Sequence, residues 1–136
     1  MDFVRTMAIA ASGLKAQAGR MRVISENLAN ADSTAQKPGG DPYRRKVVSF
    51  QSHIDRDLGA QTVELGRVRR DKADFERRHD PGNPAADASG YVKLPNVNPL
   101  VEQMDMREAQ RSYEANLNVI TATRRLVSRT LDILRA

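Results

Sequence analysis

The sequence has no cysteine and no tryptophan, and only three phenylalanines, three tyrosines and two histidines among its 136 residues. Without cysteine there is no disulfide framework, no thiolate zinc site and no cysteine nucleophile. Such a chain can travel unfolded and work outside a reducing compartment without mispairing. The shortage of large aromatics, with a negative mean hydropathy, removes the side chains that usually dominate core energetics. Either the core is thin or apolar surface is buried against partners, and the second reading is the better one. No stretch is long and apolar enough to span a bilayer, so no membrane insertion is expected. The short run Met7 to Ala11 is broken by Ser12, Gly13 and Lys15. It makes a poor secretory signal, so no cleaved signal peptide is expected and export would need another route.

Charge is plentiful: 22 Lys and Arg against 17 Asp and Glu, a net charge of +5. The basic excess gathers in Arg44, Arg45, Lys46, Arg67, Arg69, Arg70, Lys72, Arg77 and Arg78, with Asp55, Asp57, Glu64, Asp71, Asp74 and Glu76 mixed in. A basic cluster can bind nucleic acid. Interspersed with acids in a loop-rich stretch, it reads instead as a solvated surface, and no nucleic-acid partner is expected.

Catalytic and metal chemistry find little support. His53 and His79 lie without carboxylates or a second histidine at ligand spacing. Lys37-Pro38-Gly39-Gly40 lacks the Gly-Lys-Ser/Thr ending and the preceding strand of a phosphate loop. Asp80 and Asp87 flank a Pro-Gly turn with no group nearby to raise a carboxyl pKa. No enzyme activity, metal or cofactor is expected.

The chain reads in three parts: a helix over residues 1–30, a loop-rich insertion with short strands over 31–97, and a second helix over 98–136. Phe3, Met7, Ala10, Leu14, Gln17, Met21, Ile24 and Leu28 alternate four and three apart, the seam spacing of a coiled coil about 45 Å long. Ala8, Ala11, Gly13, Ala16 and Gly19 would let another helix approach closely. Asn98 and Pro99 form a helix start, with Glu102 and Asp105 near its positive end. The second seam is Met106, Gln110, Tyr113, Leu117, Ile120, Arg124, Val127, Leu131 and Leu134. Val4, Ile9, Val119, Leu126 and Ile133 are apolar off the seams. The fold expected is mainly α: terminal helices paired as an antiparallel coiled coil, with extra faces that want further neighbours.

In between, strands are predicted at Lys46 to Phe50, Thr62 to Arg70 with a slip at Gly66, and Tyr91 to Leu94. Much of this segment is expected to order only in an assembly.

Specific strings then become familiar. Ala10-Ala11-Ser12-Gly13-Leu14 and Ile24-Ser25-Glu26-Asn27-Leu28-Ala29-Asn30 resemble the signature of bacterial flagellar rod and hook axial proteins. Tyr43-Arg44-Arg45-Lys46, Asp80-Pro81, Gly90-Tyr91, Asn96 and Asn98, and Tyr113-Glu114-Ala115-Asn116 are similar to the proximal-rod branch of that family. The likeness is loosest between Gln51 and His79. It implies a structural subunit of the rod that crosses the periplasm, assembled helically with its terminal helices lining an axial channel. It implies as partners copies of the chain, other rod proteins, the rod-base adaptor FliE and the flagellar type III export apparatus. Phe3 and Met7 are then candidates for an export signal, though they serve equally as seam positions. Without neighbours, the free monomer is expected to fold poorly. The alternatives are another rod or hook member and a basic coiled-coil protein that binds nucleic acid.

Overall fold

The computed structural model describes residues 2–136. Helix α1 spans Phe3–Ala29 and helix α2 spans Pro99–Arg135. Between them lie β1 Lys46–Val47, β2 Phe50–Asp55, β3 Ala60–Leu65, β4 Arg69–Arg70, β5 Glu76–His79 and β6 Tyr91–Leu94. The strands form three antiparallel two-stranded ladders, β1–β4, β2–β3 and β5–β6.

Local chemistry sets both helix starts. Asp2 accepts the Arg5 N–H at 3.1 Å and caps α1. Asn98 accepts the N–H groups of Leu100 and Val101 at the start of α2, where Pro99 has no N–H to satisfy. At the end of α1, the Asn30 side chain turns back and donates to the Glu26 carbonyl at 2.8 Å.

The chain divides into two compact units, each holding part of both helices. The first comprises the described residues up to Met21, with Ser49–Arg67 and Arg107–Ala136. Its helices pack against each other through small side chains: Ala10, Ala16 and Ala109 are buried, with Thr123. A Cβ on Gly13 would lie 2.8 Å from the Asn116 amide nitrogen, so the Asn116 side chain packs directly on the backbone there and would have to shift to admit one. Arg20 reaches Glu108 at 3.2 Å. The inward face of α2 runs Ala109, Tyr113, Asn116, Ile120, Thr123 and Val127, while Gln110, Leu117 and Arg124 are exposed. The heptad spacing of the sequence reading is kept, but three positions move back by one residue. Ala109, Asn116 and Thr123, all small or slender, take the inward places expected for Gln110, Leu117 and Arg124. Hairpin β2–β3, registered from Phe50↔Leu65 to Asp55↔Ala60, rests on α1. There Leu65 occupies the space beside Gly19, and the Val63 N–H donates to the Ser12 hydroxyl at 3.2 Å.

The second unit comprises Arg22–Val48 and Val68–Met106. Val23, Ile24, Ala85 and Val92 are its buried apolar residues. Ladder β1–β4 pairs Lys46↔Arg70 and Val47↔Arg69. This register differs by one residue from that of β2–β3, so the slip expected at Gly66 is present. The stretch expected as one strand from Lys46 to Phe50 breaks after Val47 for the same reason. Strand β5 was not anticipated. It reads Glu-Arg-Arg-His, is exposed throughout, and exists through its pairing with β6.

Candidate functional site

The densest chemistry lies in the second unit, around two polar side chains that are each only 1% exposed, Asn27 and Glu102. Helix α1 delivers Asn27, the first turn of α2 delivers Glu102, and the segment Tyr43 to Lys46 passes between them. The Asn27 amide nitrogen donates to the Lys46 carbonyl at 2.8 Å and to Glu102 Oε2 at 3.2 Å. Its oxygen accepts from the Tyr43 hydroxyl at 2.8 Å and from the Lys46 N–H at 2.9 Å. Two donors and two lone pairs are all a carboxamide has, so Asn27 is fully satisfied. It also supplies Lys46 with the backbone partners that a neighbouring strand would otherwise provide.

Arg45 closes the network. Its Nε donates to Glu102 Oε1, its Nη1 lies 3.4 Å from Asp71 Oδ2, and its Nη2 lies 3.8 Å from Asp105. Burial works against the charge on Arg45, but the Glu102 carboxylate, with Asp71 behind it, outweighs burial and holds its pKa above the usual value. The Arg45 N–H donates to Asn96 Oδ1 at 2.7 Å, and the Asn96 amide donates in turn to the carbonyls of Asp71 and Ala73. Arg44 donates to those same two carbonyls and stacks its guanidinium 4.2 Å above the Phe75 ring. Lys46 pairs with Glu26. Of the basic cluster, Arg44, Arg45 and Lys46 are therefore engaged with internal partners, while Arg69 and Arg70 are exposed.

Burial pushes the Tyr43 phenol up to about 12, helped by the negative charges of Glu26 and Glu102. A raised acid pKa stabilises the fold below the unfolded tyrosine value, and that contribution fades as pH rises through about 12. Titration followed by ultraviolet absorbance should therefore show a late tyrosine step near pH 12. Replacing Tyr43 by phenylalanine should remove that late step.

The remaining singled-out residues are more dispersed. Asp80 and Gly90 join β5 to β6, the Asp80 N–H donating to the Gly90 carbonyl at 2.9 Å. Gly90 has φ +81°, and a Cβ there would meet Pro81 and the His79 ring at 3.2 Å. Tyr91 packs edge-on against His79, with ring centroids 5.0 Å apart. Asp87 accepts the N–H groups of Ser89 and Tyr91, and the Tyr91 amide in particular lowers its pKa. This carboxylate shapes a turn. Asn30 and Asn98 serve the helix ends. In the first unit, Tyr113 is half-buried, Glu114 is exposed, and Asn116 donates to the Ser112 carbonyl at 2.9 Å.

Of the seam residues, Ala10 and Ile24 are buried. Phe3, Met7, Leu14, Met21, Leu28, Met106, Ile120 and Val127 are half-buried. Leu117, Leu131 and Leu134 are 46%, 49% and 78% exposed. Glu102 and Asp71 escaped the sequence reading as members of the network. One signal was present: Glu102 stands four residues before Met106 and continues its stripe back into the first turn.

Residues 7–35 match the family described as flagella basal body rod protein, and residues 88–133 match the C-terminal family of the flagellar basal body rod FlgEFG proteins. The flagellar basal-body rod protein FlgC of Agrobacterium fabrum is 56% identical, over 94% of this chain and 92% of that protein. That of Salmonella typhimurium is 41% identical over 98% of both chains, and that of Bacillus subtilis 39% identical over 98% of this chain and 99% of its own. With both helical ends matched and relatives aligned over nearly their whole length, the chain belongs to the FlgC family of flagellar basal-body rod proteins.

Proposed function

We infer that the chain is a structural subunit of the basal-body rod, assembling with copies of itself and with other rod proteins. It is not an enzyme. The observation that carries the assembly reading is the apolar surface left open on α2. Besides Leu117, Leu131 and Leu134, the residues Val119, Leu126 and Ile133 are 43%, 46% and 74% exposed. A long helix that leaves so many apolar side chains uncovered is incomplete until other helices cover them.

In this reading the two terminal helices form an antiparallel coiled coil. The reading is supported by contacts that climb α1 as they descend α2, Gly13 with Asn116 and Arg20 with Glu108. Residues 1–30 and 98–136 would be the axial part, and 31–97 the insertion. Phe3, Met7, Ala10, Leu14, Met21, Ile24, Leu28, Met106, Tyr113, Leu117, Ile120, Val127, Leu131 and Leu134 are the proposed packing residues, some against the chain's own helix and the exposed ones against neighbours. Repetition of head-to-tail contacts that do not close into a ring generates a helical array, and the proposed array is the proximal rod, crossing the periplasm around an export channel. FliE at the rod base and the type III export apparatus, acting without a cleaved signal, complete the proposed partners.

Electron microscopy of basal bodies from a strain lacking the gene tests this. Inner rings without a rod, restored by the intact chain, are expected. Complete rods in that strain would overturn the assembly reading.

A further inference from the structure

Within the first unit, Gly13 lies beside Asn116 and Arg20 reaches Glu108, so each step back along α1 is a step forward along α2. Carried from Gly13 to the start of α1, that pairing brings Asp2 level with about Val127. Burial agrees: Val127 is half-buried, and every residue from Ser128 to Ala136 is exposed. The last two turns of α2 thus project past the described end of α1, about 12 Å of helix at 1.5 Å per residue. They present Leu131, Ile133 and Leu134. The same unit holds a matching recess. Strand β3 lies on α1 through Val63 and Leu65, and β2 stands outside it. Phe50, Ser52 and Ile54 pair with Leu65, Val63 and Gln61, so they share the face turned toward α1. Phe50 and Ile54 nevertheless stay 40% and 62% exposed, as does Ile9 at 44%, one turn before Ser12 on α1. Ile9, Phe50, Ser52, Gln61, Thr62 and Val63 line a groove of about 290 Å³. That falls just under the roughly 300–1,000 Å³ of a small-molecule site and suits one or two side chains.

We propose that the projecting end of α2 from one copy inserts Leu131 and Leu134 into the groove between α1 and β2 of a second copy. The two leucines stand three residues apart, on one face of the helix. Charge selects the same occupant. The hairpin carries Asp55, Asp57 and Glu64 against Arg56, whereas the end of α2 carries Arg124, Arg125, Arg129 and Arg135 against Asp132. Arg5, which approaches the hairpin turn at Gly59, is held by Asp2 at 2.9 Å. Groove and helix end are different surfaces of one chain, so the contact is head-to-tail and repeats from copy to copy. It rests on the reading of this chain as a rod subunit, and it names which surface of each copy meets the next.

The chain has no cysteine of its own, so introduced cysteines report on single contacts. The test is the full-length double variant Ser52→Cys with Thr130→Cys, expressed in a strain lacking the gene, with basal bodies isolated and mildly oxidised. Ser52 lies in the groove, and Thr130 adjoins Leu131 while sparing both leucines. Within one copy about 20 Å of helix separates the two positions, because Val63, the partner of Ser52, lies at Ser12. A disulfide spans only about 4.4–6.8 Å between Cα atoms, so any bond that forms joins two copies. A ladder of dimers, trimers and longer species is expected from the double variant and none from either single variant. Adding Ile9→Glu places a charge in the groove wall and should lower the linked fraction at least ten-fold at unchanged subunit abundance. Subunit present in basal bodies but unlinked overturns the contact and leaves the rod reading intact. Dimers with nothing longer overturn the head-to-tail arrangement, and linkage unaffected by Ile9→Glu overturns the groove as its seat. Absence of the subunit from basal bodies overturns the rod reading and the contact with it.

Discussion

Asn27→Ala is expected to lower the unfolding free energy of the second unit by about 3–5 kcal/mol, a large share of the roughly 5–15 kcal/mol that holds a typical domain. The size follows from what the carboxamide serves. Its removal strands the Lys46 N–H and carbonyl, the Tyr43 hydroxyl and one oxygen of the buried Glu102. Each buried group left unpaired costs about 1–3 kcal/mol, and water entering the gap offsets part of the sum. Asn27→Asp should be worse despite its similar shape. It keeps an acceptor for Tyr43 and for the Lys46 N–H, but it places a second carboxylate against Glu102, where the amide now sits 3.2 Å away. Urea unfolding followed by tyrosine fluorescence measures both. A loss below about 1 kcal/mol for the alanine variant, the scale of one ordinary hydrogen bond, would mean that the network is solvated and incidental.

The second large effect concerns assembly rather than stability. Changing Leu117, Leu131 and Leu134 together to serine should leave the fold of the monomer nearly untouched, because none of the three is buried within it. Fully burying a leucine contributes about 1.5–3 kcal/mol, and these begin roughly half exposed or more. Their combined loss at an interface is therefore about 3–5 kcal/mol, or at least a hundred-fold in affinity. Swimming in soft agar should be abolished by the triple variant in a complemented null strain, at unchanged subunit abundance. Normal motility would show that this stripe faces solvent in the working structure.

The two helices and the small β-containing middle were legible because each leaves a local mark. Heptad stripes, the Asn98-Pro99 start and the turn at Asp80-Pro81 can be read without tertiary context. The helix-facing set on α2 was less legible. Pattern rules select Leu117, whereas the approach to Gly13 selects Asn116, a residue that looks polar and superficial. Glu102 was read as a charge complementing the helix dipole. Its burial depends on Arg45, 57 residues earlier in the chain, which no window of sequence contains. The basic string carried a surface reading for the same reason: its acidic partners Glu26, Asp71, Glu102 and Asp105 come from three other segments. The charges were visible in the sequence, but their pairing was a property of the fold.

The hydrogen bond between Asn27 and Glu102 joins positions 75 residues apart. That separation makes the contact slow to form, because a long loop must be closed before the contact returns any free energy. It also sets an order in time. Whichever end of the chain enters a compartment first, the network cannot close until both positions have arrived, so more than half of the sequence has to be delivered beforehand. A chain threaded through a narrow passage would stay open for most of its transit and close near the end. Premature compaction, the usual hazard for a protein that must be passed along extended, is thus opposed by where along the chain its most tightly knit contacts lie.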